Sequence, residues 1–213
     1  MPYPTVEEFG AMLLARPVEQ VVQDVIFQGI PFGGVPYVFR TRPSALNRLR
    51  QHLSAALNVE QENVIVVGSA KIGFSVSPDT FSRRFSPRSD IDVVVVDASL
   101  FDSMWTTVLK WHYVRRGILP RADWDWVRGR MADFYWGWLA PDRIRYDGLS
   151  LPEGLKPLRD LSARWFNAFR SLSEYAEFAA RNVSGRLYRT WEHALRYHEW
   201  GLAQIRASIG GGA

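Results

Sequence analysis

Two uninterrupted aliphatic runs, Val64 to Val67 (VIVV) and Val93 to Val96 (VVVV), constrain this chain more than any other feature. Both are short, β-branched and bounded by Gly, Ser and Asp, the pattern of strands buried on both faces rather than of amphipathic ones. A strand covered on both sides needs helices on both sides. The runs therefore predict an α/β (α+β) fold, a small sheet with helices packed on it.

The flanking segments supply those helices. Residues 4–29 read as helical, with Thr5 and Glu8 at capping-box spacing, and Pro17 predicts a kink or two short helices. A Pro/Gly segment follows, with a short strand expected at Tyr37 to Phe39. Pro43 then opens an amphipathic helix whose face is Leu46, Leu49, Leu53, Ala56 and Leu57. Beyond the second run, Ser99 and Asp102 have helix-start spacing. The aromatic-rich segment 121–140 reads as helical, 141–157 as a loop with room for a short strand, and 158–180 as a strong helix. SGRLYRTW, from Ser184 to Trp191, reads as a strand before a last helix. We expect one compact unit: residues 1–60 as N-terminal helices, 61–150 as the core, and 151–213 as a helical C-terminal part with a third core strand.

Composition narrows the functional classes. With 47% hydrophobic and 23% charged residues, the 213-residue chain reads as an ordinary globular protein. It has no cysteine, which excludes disulfides, thiolate catalysis and cysteine-zinc sites. The N-terminus does not read as a signal peptide, and no apolar run reaches the ~18 residues of a membrane span, so the expected location is cytoplasmic, with no membrane partner. The net charge is a modest +4, yet lysine occurs only at 71, 110 and 156, all other basic residues being arginine. Arginine suits bidentate phosphate contacts; a GC-rich genome yields the same bias.

The chemistry lies at the ends of the two runs. The first passes into Gly68-Ser69, where a tight turn brings backbone amides, a hydroxyl and the nearby Lys71 to an anion. The spacing of a P-loop is absent. The second is headed by Ser89, Asp90 and Asp92. Carboxylates at i and i+2 on a strand share a face and repel, a pairing that a hard cation such as Mg²⁺ or Mn²⁺ relieves. Donors for phosphate beside acceptors for a metal define a phosphoryl- or nucleotidyl-transfer site.

GSAKIGFS followed by SDIDVVVVD resembles the signature of the DNA polymerase β-type nucleotidyltransferase superfamily, over roughly residues 63–97. The resemblance implies a small mixed sheet holding an NTP as its Mg²⁺ complex, Gly68 and Ser69 on the triphosphate, and Asp90 and Asp92 on the metal. Small stand-alone bacterial members resemble antitoxin-type, toxin-type or phage-defence enzymes. There are two departures. Twenty residues separate Ser69 from Asp90, more than is usual there, and the insert carries Arg83, Arg84 and Arg88. No strand displays the third carboxylate of active members; Asp147 is the first candidate and Glu192 the second.

The leading expectation is a Mg²⁺-dependent nucleotidyltransferase acting on an acceptor hydroxyl of RNA, protein or a small molecule, with Lys71 or the Arg83/Arg84 loop neutralising the leaving group. The alternatives are a catalytically degenerate domain that binds nucleotide, RNA or a partner protein, and an unrelated α/β interaction domain. A homo-oligomer is compatible with each. The pairs Trp124/Trp126 and Trp136/Trp138 read as packing residues rather than base-stacking ones. His193 and His198, five apart, read as structural. Arg186, Arg189 and Arg196 read as a basic rim or as partners of Glu192 and Glu199.

Overall fold

The computed structural model describes residues 3–115, 129, 131–144, 153–178 and 181–211. The capping box forms as read: Thr5 Oγ1 accepts from the Glu8 amide and Glu8 Oε2 accepts from the Thr5 amide, at 3.1 and 2.8 Å. Helix α1 (Val6–Ala15) stops before Pro17, which opens α2 (Val18–Val21). A π-helical stretch, Val22–Gln28, continues to Gly29. Helix α3 (Ser44–Leu57) buries Leu46, Leu49, Leu53 and Leu57. Strand β1 (Val64–Val67) leads into the one-turn helix α4 (Ser69–Ile72). Strand β2 (Ile91–Val96) leads into α5 (Ala98–Arg115), capped by Asp97, whose Oδ1 accepts from the Leu100 amide at 2.6 Å. Strand β3 (Trp138–Leu139), α6 (Lys156–Ser171), β4 (Val183–Tyr188) and α7 (Trp191–Gly210) complete the described elements.

The strands form one mixed sheet in the order β1-β2-β4-β3. β1 runs antiparallel to β2 with Val67 opposite Asp92. β4 runs parallel to β2 with Ser184 opposite Asp92, and β3 is antiparallel to β4. Alternation along the two aliphatic runs sends side chains into two cores. Val64, Val66, Ile91, Val93 and Val95 pack with α3, α5 and α6. Ile65, Val67, Val94 and Val96 pack with α1, the π-helical stretch and α7. The two-sided burial read from the sequence is thus the organising fact of the fold, which is mixed α/β and mostly helical.

Several local expectations differ: the helix read over 158–180 ends at Ser171, and the strand read over 184–191 ends at Tyr188. Tyr37–Phe39 is a 3₁₀ turn, not a strand. The Tyr37 ring packs over Gly73 and meets Phe85 edge-on at 6.0 Å. The aromatic segment is helical at 131–135, but Gly137 reverses it, and Trp138 joins the sheet while Trp136 stands exposed. Trp136 is therefore not a core residue; Trp124 and Trp126 lie outside the described residues. Helix α5 begins at Ala98, one residue before the expected start. Among the described residues no helix is long and apolar enough to cross a membrane.

Candidate functional site

The site is built where β1 leaves the sheet. Gly68 there has φ 63° and ψ −148°, a conformation open to glycine and very costly for other residues. A Cβ on it would lie 3.2 Å from Asp92 Oδ2. A side chain there would press on the Asp92 carboxylate, which would have to shift to admit it. Turn and acid are therefore one structure, brought together by the Val67–Asp92 register.

Gly68, Ser69, Ser89, Asp90 and Asp92 line a cleft of about 1110 Å³ together with Arg83 and Arg84. Asp90 and Asp92 face it from the head of β2. Asp92 reaches solvent through the mouth, but protein crowds its carboxylate on the other sides, and this dehydration raises its pKa above the ordinary 3.8. The neighbouring Asp90 charge adds to the rise; a hydrogen bond from Ser184 Oγ to Oδ1, at 3.3 Å, and the Arg186 charge oppose it.

Strand β4 supplies the third side. Ser184, Arg186 and Tyr188 alternate onto the face that carries Asp92. The Arg186 guanidinium lies 5.2 Å from the centre of the Trp138 ring and 4.7 Å from that of Tyr197, and it donates to the Tyr197 hydroxyl. Held between those rings, it makes no ion pair with Asp92. The resemblance calls for an acid on a later strand; beside Asp92, β4 has a hydroxyl and then an arginine.

The insert does not simply loop out. Phe74 and Arg84 bridge across it, the Ser75 amide donates to the Arg83 carbonyl at 2.8 Å, and the Phe85 amide donates to Gly73 at 2.9 Å. Ser82 takes φ 69° where the ribbon returns, and its amide donates to the Ser75 carbonyl at 3.1 Å. This pinned ribbon presents Arg83 and Arg84 along the cleft. Arg181, just ahead of β4, ties down its base by donating to the carbonyls of Ser86 and Ser89, at 2.7 and 3.1 Å.

The remaining residues fall in different places. Lys71 does not line the cleft: it is 3% exposed, and its Nζ donates to the Phe27 carbonyl at 3.0 Å. Burial lowers its pKa to about 8. Glu192 pairs with Arg196 at 2.8 Å, away from the cleft lining. Asp147 lies outside the described residues. His193 Nδ1 is 2.7 Å from Thr190 Oγ1 at the start of α7. His198 Nε2 is buried with no hydrogen-bond partner, and burial lowers its pKa to about 4. Asp142, Arg143, Ser184, Tyr197 and Trp200 also line the cleft, unforeseen from sequence. The signal for Ser184 was the S-x-R-x-Y alternation within a strand.

Two carboxylates and the Ser184 hydroxyl form a hard-oxygen donor set. Among the described residues no group of three or more His, Cys, Asp or Glu side chains could hold a metal. Such a pair suits a Mg²⁺ whose coordination is completed by substrate phosphates and water rather than an all-protein cage.

Comparison with known proteins adds no relative: no family model, curated protein or solved structure matches this chain.

Proposed function

We propose that the cleft binds a nucleoside triphosphate as its Mg²⁺ complex and transfers the nucleoside monophosphate to an acceptor hydroxyl, releasing pyrophosphate. The observation that carries this reading is the placement of the Asp92 carboxylate beside the Gly68 turn, one residue from its sheet partner Val67. Phosphates seated on the turn at Gly68 and Ser69 lie beside the acids that would hold the cation. Bound there, Mg²⁺ would lower the charge of the phosphates and polarise the bond to be broken. The chain's own part is positional: Gly68 and Ser69 seat the phosphates, Asp90 and Asp92 hold their cation, and Arg83, Arg84 and Arg186 offset negative charge on the departing pyrophosphate.

One observation favours a second reading, binding without turnover. Opposite Asp92, β4 carries Ser184, followed on the same face by Arg186, and neither accepts a proton from an acceptor hydroxyl as a carboxylate would. Incubation with α-labelled NTPs and Mg²⁺ separates the two. Transfer predicts pyrophosphate release that Asp90→Ala and Asp92→Ala abolish. Mg²⁺-dependent binding with no release assigns the second reading, and absence of both removes nucleotide chemistry from the cleft.

A further inference from the structure

Trp200 is 70% exposed, although tryptophan is among the costliest side chains to leave in water. It stands on α7 and lines the same cleft as the paired acids, with Gln204 one turn further on. The ribbon of residues 74–88 lies beside this helix; its Pro78 is 3.9 Å from where a Cβ on Gly201 would stand. The cleft lining thus combines an open indole with Arg83, Arg84 and Arg88, the first two on a backbone fixed by cross-ribbon hydrogen bonds. At about 1110 Å³ the cleft also exceeds the roughly 300–1,000 Å³ that one small ligand fills.

An open aromatic face sharing a cleft with several guanidinium groups is the combination that recognises unpaired nucleotides: bases stack on the ring and the backbone follows the charges. An acidic peptide would use the arginines but leave the indole idle. A duplex offers phosphates but no free base face. We propose that the outer part of the cleft binds single-stranded nucleic acid, with Trp200 stacking on a base and Arg83, Arg84 and Arg88 contacting phosphates. The strand's role as acceptor of the transferred nucleotide rests on the function proposed above; its binding does not.

The test is fluorescence anisotropy with a labelled 12-nucleotide single-stranded RNA, the same sequence as a duplex, and polyglutamate as competitor. The single strand should bind more tightly than the duplex and resist polyglutamate. Trp200→Ala should weaken binding about 5- to 100-fold, while Trp200→Phe, which keeps an aromatic face, retains most of it. Arg83→Ala with Arg84→Ala should reduce the slope of log affinity against log salt by about 1.4, the value for two phosphate contacts on a single strand. Wild-type affinity in Trp200→Ala, equal affinity for duplex, or displacement by polyglutamate at matched charge would each overturn the proposal. Titrating Mg²⁺-NTP in parallel keeps the two readings apart. Strand binding without Mg²⁺-NTP binding supports the strand site and removes transfer; Mg²⁺-NTP binding without strand binding does the reverse.

Discussion

Gly68 shows how one residue type can set a site. Its φ of 63° and the 3.2 Å from a virtual Cβ to Asp92 mean that alanine there would meet backbone strain and carboxylate together. We expect Gly68→Ala to destabilise the fold by about 1–3 kcal/mol in denaturant titrations and to weaken nucleotide binding; unchanged stability would contradict the geometry. Asp92 makes the opposite prediction. Its pKa is raised in the folded state, so over the window above 3.8 the folded chain holds a proton that the unfolded chain has lost. Stability therefore falls as pH rises through that window, and the deficit persists at neutral pH. Without metal at pH 7, Asp92→Asn should melt at or above wild type, with the gap closing as the pH falls to 3.8 and below. A clearly lower melting temperature would make Asp92 a structural acid. Its pairing with Gly68 was legible in the sequence because both sit at the ends of aliphatic runs. Lys71 shared the motif and misled: the motif gives spacing along the chain, and the single turn of α4 points Lys71 inward to the Phe27 carbonyl.

At the scale of elements, legibility followed length and periodicity. β1, β2 and α3 were readable because four or more residues repeat one pattern against one environment. β3 has two residues, follows a helical turn of aromatics and depends on β4 for its existence, so local sequence could not announce it. The register of β4 was equally hidden. The alternation of Ser184, Arg186 and Tyr188 was visible, but not its alignment with Asp92. Helix α7 carries a further consequence. The His198 ring packs edge-on against Phe27 and Tyr197, at 5.5 and 5.4 Å. Its pKa falls from 6.5 to about 4, so the unfolded chain binds the proton first on acidification. Stability is then lost as pH drops from about 6.5 towards about 4, by on the order of 3 kcal/mol at most. His198→Phe, which keeps the ring contacts and removes the titration, should flatten that part of the stability–pH curve. An unchanged slope would show that other groups govern acid unfolding.

Across the whole molecule, the sheet lies between two cores, and the cleft opens on the side where β1 ends, β2 and β4 begin and α7 passes. Helices α7 and α1 are also joined directly: Arg206 on α7 donates to the Leu14 carbonyl on α1 at 3.2 Å. The acids, the glycine turn and the arginine ribbon come from different segments, so their convergence is a property of the fold. The most direct test of this convergence is calorimetric titration of an NTP into wild type and Asp92→Asn, with and without Mg²⁺. The account predicts binding that needs Mg²⁺ in wild type and is weakened at least about tenfold in the variant, the effect of losing one charge-assisted ligand. Equal affinity with and without Mg²⁺, or equal affinity in the two proteins, would contradict it.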